Sequence, residues 1–294
     1  MAFRKILVAI DQHSSSLQAA DLAAALAREA KSQVTLVHVI PPSAEVPEGT
    51  SGMDFSPTQE RNIAVPTPGG DASETEREMS RDLDRRAEAI ISDAKAIFDR
   101  EGVEVRSDIV RYREPGRAIL DLAEEGWYDL LVLGNGGDDH WELDTAGSVA
   151  HEVVKNAMTS VLLVKREAGF GSVSAYVTKE DSPVMGPVMR ISGVFDSQLD
   201  IIVGKDKEAE AEMLLRNLLQ RAADAGLSPG GAIVKELDLE SIEEAIGKNR
   251  SQLLILERPN PGALGRLVKR GGWLSKLVDV IPCSLLLVRR KREE

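Results

Sequence analysis

The sequence of 294 residues predicts an α/β protein built from two tandem repeats of an open parallel sheet, the second repeat shortened. Three observations predict this. In the first half, short apolar runs alternate with amphipathic stretches. A glycine cluster at 134–137 follows one apolar run, and a new helical stretch begins at Ser148. The run 284–289 near the end of the chain repeats the pattern of 160–165. Alternating strands and helices are typical of parallel sheets with right-handed crossovers.

The first elements follow from the apolar pattern. Residues 5–11 are apolar enough for a strand covered on both faces, and an alanine-rich amphipathic helix follows at 17–30. Residues 34–40 predict a second strand, which two prolines end. From there to about Thr75 the composition changes to Pro, Gly, Ser, Thr and acidic residues. This stretch predicts a long loop.

A long helix is predicted at about 76–101, because apolar residues recur there at helical spacing and a glycine follows. The remaining elements continue the alternation: a third strand within 103–112, a helix beginning near Pro115, a fourth strand at 128–133, a helix from 148 and a fifth strand at 160–165. The first domain is therefore predicted to span residues 1–166.

The second half echoes the first at two different offsets. An offset of 124 superimposes 284–289 on 160–165, whereas 201–206 requires an offset of 195 to superimpose on 6–11. Because the offsets differ by 71, we predict that the second repeat has lost about one strand–helix unit and the long loop.

The predicted second domain therefore spans 196–294. Residues 167–195 contain Gly, Ser and Pro, and they are predicted to form a linker or to carry a substitute strand such as 188–195.

Composition restricts the class of protein. There are 48 acidic and 36 basic residues, so the net charge is -12, which disfavours binding to nucleic acid or to an anionic membrane. The single cysteine, Cys283, excludes an intramolecular disulfide and a cysteine-based zinc site, and its apolar context predicts a packed thiol. No apolar run reaches the roughly 18 residues of a membrane helix, and no signal-peptide pattern is present, so we expect a cytoplasmic location.

The glycine spacing resembles a known family. The spacing is similar to the ATP-binding signature of the universal stress protein family: Gly134, two residues, Gly137, nine residues and then Gly147-Ser148. The flanking strands and the opening strand with its serine-containing turn match that family in the same order, over residues 1–166. The resemblance implies a Rossmann-like (adenine nucleotide alpha hydrolase-like) fold, with strand order 3-2-1-4-5 and pairing of domains through the fifth strand.

The resemblance also implies a nucleotide site, formed by Asp11, Val39, Leu133, Gly134, Gly137, Gly147, Ser148 and Val149. Asp11 would accept a hydrogen bond from the ribose or adenine side, and Val39 would line the adenine slot. The glycines would let the backbone wrap the phosphates, which would also meet the N–H groups at the helix start. Simpler roles remain open, namely a turn or cap for Asp11, a tight turn for the glycines and an N-cap for Ser148.

The loop between the glycines departs from the family pattern. It carries four carboxylates, at Asp138, Asp139, Glu142 and Asp144, which would repel a polyphosphate. Either these side chains point outward, or a divalent cation such as Mg²⁺ or Mn²⁺ bridges them to the phosphates. Two further alternatives are a ligand less charged than ATP and no ligand at all. His140 in this loop is interpreted as a solvated residue.

The second repeat lacks the signature. The offset of 124 places Arg258, Pro261 and Gly272 at the positions of Gly134, Gly137 and Ser148, and proline has no N–H to donate. The nearby basic residues indicate a solvated face, or a docking surface for an acidic partner or for the acidic loop.

These observations favour a stress-response or regulatory protein that binds an adenine nucleotide, ATP foremost, in the first domain. The second domain would serve intramolecular pairing through the last strands, and a homodimer is a further option. No zinc or catalytic-triad spacing and no Walker A motif is present, so no catalytic residue is predicted. The alternatives are a nucleotide-free interaction protein of the same fold and a slow metal-dependent nucleotide hydrolase.

Overall fold

The fold is described from a computed structural model, which describes residues 3–42, 74–136, 147–165, 168–236, 238–258 and 272–290. Within these ranges the chain forms ten strands, all in one sheet, and eight helices. None of these helices is both long and apolar enough to cross a membrane.

The first half alternates strands and helices as predicted. Its elements are β1 (Lys5–Ala9), α1 (Ser14–Ala30), β2 (Gln33–Ile40), α2 (Glu74–Arg100), β3 (Val105–Arg111), α3 (Pro115–Glu125), β4 (Leu130–Gly134), α4 (Ser148–Asn156) and β5 (Ser160–Val164). Most of the predicted loop between β2 and α2, residues 43–73, lies outside the described residues.

The second half has the same alternation. Its elements are β6 (Ser172–Val177), α5 (Met185–Val194), β7 (Gln198–Gly204), α6 (Glu208–Asp224), β8 (Gly230–Val234), α7 (Leu239–Asn249), β9 (Leu253–Glu257), α8 (Trp273–Val280) and β10 (Ser284–Val288).

The strand order confirms two predictions. The sheet runs β3-β2-β1-β4-β5-β10-β9-β6-β7-β8, so the first half has the order 3-2-1-4-5 and the second half repeats it from the other edge. Strands within each half are parallel, whereas β5 and β10 pair antiparallel, with Leu162 opposite Leu286. The last strands of the two repeats therefore join them within one chain, as the apolar character of 160–165 and 284–289 indicated.

The predicted loss of a strand–helix unit is wrong, because the second half contains all five strands. Its first strand is β6, within the segment interpreted as a linker or extra strand, while residues 188–194 belong to helix α5. Residues 201–204 lie in β7, which pairs with β6 as β2 pairs with β1, so this run corresponds to the second strand and not the first. We therefore propose that the second unit begins at β6.

The composition of β6 explains the error. Its sequence, Ser-Val-Ser-Ala-Tyr-Val, contains two serines and therefore resembles a linker more than a buried strand. Ser174 is nevertheless fully buried, because its hydroxyl bonds that of Ser251 at 2.6 Å. The second repeat is shorter because the connection after its second strand is shorter and because α6 has 17 residues where α2 has 27. Only three residues, 205–207, separate β7 from α6.

Two apolar layers enclose the sheet. Helices α1, α2, α5 and α6 pack on one face, and α3, α4, α7 and α8 pack on the other. The central strands β4, β5 and β10 are buried along their whole length. Cys283 lies in the second layer and is 4% exposed, which confirms the packed thiol, and burial raises its pKa to about 12.

Candidate functional site

A cavity of about 450 Å³ opens at the carboxyl ends of β1, β2 and β4, beside the start of α4. Strand order reverses between β1 and β4, and ligands of open α/β sheets bind at such a switch point. The volume falls within the range of small-molecule sites, about 300–1,000 Å³.

Seven of the eight predicted site residues line this cavity: Asp11, Val39, Leu133, Gly134, Gly147, Ser148 and Val149. Parallel pairing of β1 with β4, with Ala9 opposite Leu133, brings together segments that are far apart in the sequence. Gly137, together with the acidic loop at 138–144, lies outside the described residues.

Asp11 stabilises the turn between β1 and α1 through local hydrogen bonds. Its Oδ1 accepts hydrogen bonds from the hydroxyl of Ser16 and from the backbone N–H of His13, at 2.5 Å and 2.9 Å. The backbone N–H of Asp11 in turn donates to Ser16 Oγ. One carboxylate oxygen therefore fixes the turn into α1, as the simpler interpretation expected, and Asp11 also lines the cavity.

Gly134 allows a close approach between β4 and α1. A Cβ atom at Gly134 would lie only 2.6 Å from the carbonyl carbon of Ser15. Ser15 Oγ also accepts a hydrogen bond from the N–H of Gly136, which has a positive φ of 62°. Neither Ser15 nor Gly136 is among the predicted site residues, although both shape the end of β4.

Helix α4 starts at the cavity. Gly147 is its N-cap and donates its N–H to the carbonyl of Asn135 at 2.8 Å, and no side chain caps the helix. The expected N-cap role of Ser148 is therefore not found, since Ser148 is the first helical residue. The first N–H groups of a helix have no partner within it and carry the positive end of the helix dipole. Ser148 and Val149 offer such groups beside the cavity.

Much of the remaining lining of the cavity is apolar. It is formed by Ile10, Ile40, Pro41, Leu83, Ala87, Ile90, Pro115 and Ile119. Three of these residues belong to α2, whose apolar spacing indicated only a helix packed on the core. Polar side chains line the cavity as well, namely Gln12, His13, Ser16, His38 and Arg86, and Arg86 pairs with Asp82 at 2.7 Å. Such a lining suits a ligand that has both an apolar ring and an anionic group.

At the same edge of the second half, strand pairing differs by one residue from the correspondence that the offset of 124 predicted. Gly134 pairs with Val164, whereas it is Glu257 that pairs with Val288. Glu257 therefore occupies the position of Gly134, and the assignment of Arg258 to that position is wrong. Arg258 matches Asn135, because each donates its N–H to the carbonyl of the neighbouring last strand. By the same comparison of helix starts, Gly272 corresponds to Gly147 and not to Ser148. Pro261 lies outside the described residues.

Side chains occupy the crevice of the second half. Register places Tyr176 at the position of Ala9, since both face the equivalent leucine of the fourth strand. Tyr176 is 4% exposed, and a Cβ atom at Gly204, the counterpart of Val39, would lie 2.1 Å from its hydroxyl. Glu257 pairs with Arg290 at 3.1 Å and with Lys179 at 3.5 Å.

No group of three or more His, Cys, Asp or Glu side chains with a metal-binding arrangement occurs in the described part of the chain. The acidic loop falls outside that part, so the expected role of a divalent cation there stays a prediction.

The fold and the cavity together define a doubly wound α/β protein with a cavity at the topological switch point of its first half. The universal stress protein family model matches residues 2–65 and 58–165, which together exceed half of the chain. The chain therefore belongs to the universal stress protein family. Both matched segments lie in the first unit.

Individual relatives support the same family. The chain is 27% identical over 164 residues to the universal stress protein MJ0531 of Methanocaldococcus jannaschii, covering 56% of this chain and 83% of that one. It is 28% identical over 163 residues to the universal stress protein YxiE of Bacillus subtilis, covering 55% and 99%. A crystal structure of a universal stress protein from Archaeoglobus fulgidus superimposes with a TM-score of 0.70 at 14% identity, covering 99% of both chains. At that identity the likeness supports the fold alone, and it extends over both repeats.

Proposed function

We propose that this chain is a stress-response or regulatory protein that binds an adenine nucleotide, ATP foremost, in the cavity of its first half. The observation that carries the proposal is the cavity itself. It combines an apolar side with a helix start whose N–H groups can meet phosphates, at the point where strand order reverses.

The parts of a nucleotide match the parts of the cavity. An adenine ring would suit the apolar end, where Val39 and Ile119 contribute to the wall. The ribose would lie toward Asp11, whose second carboxylate oxygen can accept a hydroxyl proton. The phosphates would meet the glycine-rich end of β4 and the N–H groups of Ser148 and Val149.

A divalent cation belongs to the proposal. Four carboxylates in the 138–144 loop lie between two glycines of the site in the sequence, and they would repel a triphosphate unless Mg²⁺ or Mn²⁺ bridged them to it. ATP should then bind more tightly with either metal than with a chelator. Equal affinity in both conditions would contradict the bridging role and favour carboxylates that point outward.

The second half would serve pairing and not nucleotide binding. Tyr176 and Glu257 occupy the positions where the first half has Ala9 and Gly134. Its β10 meanwhile supplies the partner strand for β5.

Isothermal titration with ATP, ADP, adenosine and GTP, each with Mg²⁺, Mn²⁺ or chelator, tests the proposal. We expect ATP to bind and GTP to bind more weakly. Mass spectrometry of the supernatant after denaturing the purified protein would identify any nucleotide that copurifies. No adenine nucleotide in either measurement would instead favour an interaction protein of the same fold, and metal-dependent turnover of ATP would favour a hydrolase.

A matched pair of glycine variants locates the site. A Cβ atom at Gly147 would lie 3.0 Å from the carbonyl oxygen of Gly136, so Gly147→Val should distort the junction of β4 and α4 and weaken ATP binding at least about tenfold. Gly272 is the N-cap of α8 in the second half, and a Cβ atom there would meet no atom of the described residues within 4 Å, so Gly272→Val should leave ATP binding unchanged. Equal losses in both variants would contradict a site in the first half.

A further inference from the structure

Each half of the molecule inserts a buried cation into the carboxyl end of the other half's last helix. Lys165, 1% exposed, donates its ammonium hydrogens to the carbonyls of Val278 and Ile281 at the end of α8, at 2.6 Å and 2.7 Å. Arg258, 6% exposed, donates to the carbonyl of Ala157 and, at 2.8 Å, to that of Lys155 at the end of α4.

The chemistry at these helix ends favours the cations. The last carbonyls of a helix lack partners within it and carry the negative end of the dipole, so a cation that donates to them is stabilised there. Burial lowers the pKa of Arg258 to about 10, and the neighbouring Arg289 acts in the same direction. At neutral pH the Arg258 guanidinium still carries its charge, held by the two carbonyls.

The two helices differ at their other ends. α4 has nine residues and spans about 13 Å, and its first residues line the cavity of the first half. α8 begins at Trp273, after its N-cap Gly272, at the edge of the second half where Tyr176 and Glu257 stand. Arg258 is therefore anchored on the helix that leads to the candidate site, whereas Lys165 is anchored on one that does not.

A second contact from the second half also holds α4. His151, one turn into the helix, places its Nε2 at 2.9 Å from the carboxylate of Asp279 on α8. The side and the end of α4 are thus both fixed by residues of the second half, although none of these residues lines the cavity.

We propose that Arg258 is a positioning residue for the nucleotide site. It acts through α4 by fixing the helix along its axis, which keeps the N–H groups of Ser148 and Val149 in place for the phosphates. This inference rests on the proposed function. It makes the second half a contributor to a site that it does not touch.

The proposal predicts a ligand dependence that a general loss of stability would not produce. In Arg258→Met the dissociation constant for ATP should rise about 5- to 30-fold. That for adenosine should stay within about twofold, because adenosine has no phosphate to meet the start of α4. Isothermal titration of the full chain measures both, at a temperature below the melting transition of every variant.

Two further variants serve as controls. Arg258→Lys keeps a cation that can reach one of the carbonyls, so it should recover part of the ATP affinity, and it carries the test if Arg258→Met does not fold. Arg290→Met removes a cation of the second half that pairs with Glu257 and Asp181 and not with α4, so it should bind ATP as the wild type does.

Unchanged ATP affinity in Arg258→Met would overturn the inference while leaving the proposed function intact. Equal losses for ATP and adenosine would also overturn it, since they would indicate general damage to the first half. If the wild-type protein bound no adenine nucleotide, the proposed function itself would fail and the inference with it.

Discussion

The two halves of this molecule share one strand order and one arrangement of helices, and the described residues form a cavity at the switch point of the first half, where large side chains stand at the matching positions of the second. The difference depends on few positions. Where the first half has Ala9 and Gly134, the second has Tyr176 and Glu257. Buried apolar strands specify the fold in both halves, whereas the site depends on small residues at two strand ends.

The second crevice is also occupied in two different ways. Tyr176 contributes an aromatic ring that packs within the apolar layer, and Glu257 contributes a charge that Arg290 and Lys179 neutralise. A ring adds buried apolar area, whereas exposed ion pairs contribute little to stability. The comparison therefore predicts unequal consequences when each feature is removed.

The largest effect should follow from removing the second half. Deletion of residues 167–294 would expose β5, whose Val161, Leu162 and Leu163 now pair with β10. An exposed, apolar edge strand invites pairing between molecules, so the truncated chain should dimerise or aggregate. Light scattering measures its mass. A stable monomer would contradict the covering role of the second half.

The next largest effect should come from copying the second crevice into the first. Ala9→Tyr, made together with Val39→Gly so that the ring has the room that Gly204 gives to Tyr176, places an aromatic side chain in the cavity wall, and Val39→Gly alone is its control. The double variant should weaken ATP binding by about 100-fold or more, because the ring occupies the space proposed for the ligand. Ala9→Ser, which keeps the volume small, should bind within about threefold of the wild type. Undiminished binding by the double variant would place the nucleotide elsewhere.

The reverse substitution tests the second crevice. Tyr176→Ala would leave a cavity in a packed layer and should lower the free energy of unfolding by roughly 3–5 kcal/mol. Tyr176→Phe keeps the ring and should cost roughly 1 kcal/mol. Urea denaturation of the two variants gives the difference. A loss below about 1 kcal/mol for Tyr176→Ala would show that the ring does not stabilise this half.

Much of the architecture could be predicted from the sequence, because parallel strands buried on both faces form continuous apolar runs. β4, β5 and β10 are such strands. β6 was missed because its serines satisfy their hydrogen bonds by tertiary contacts, Ser174 with Ser251 and Ser172 with the carbonyl of Asn249, which no local pattern reveals. The correspondence of Gly134 with Arg258 failed by one residue because strand register is set by pairing between strands, not by a constant spacing along the chain.

The site was predictable only in part. Glycines at a strand end and at a helix start have a recognisable spacing, so seven of its residues could be named. The residues of α2 that line the cavity could not be predicted, because an apolar stripe on a helix does not indicate whether it faces the core or a cavity. The position of Tyr176 in the second half could not be predicted either. An aromatic residue in an apolar strand indicates burial, but it does not indicate that the ring lies where the first half has its cavity.

The smallest effect should follow from removing the ion pairs of the second crevice. The hydrogen bond from Arg290 lowers the pKa of the Asp181 carboxyl below its ordinary value of 3.8. A carboxyl whose pKa is lower in the folded state stabilises the protein above its unfolded pKa and loses that contribution as the pH falls through the folded value.

Arg290 and Asp181 are exposed and screened by salt, so Arg290→Met should lower the melting temperature by only about 2 °C at neutral pH. The difference from wild type should begin to shrink as the pH falls below 3.8 and should vanish below the lowered pKa of the folded state, where Asp181 is protonated in both states. Calorimetry of both proteins at low salt, at neutral and acidic pH, measures it. A melting temperature lowered as far as in Tyr176→Ala would contradict this prediction, because it would mean that the ion pairs stabilise the second half as much as the aromatic ring does.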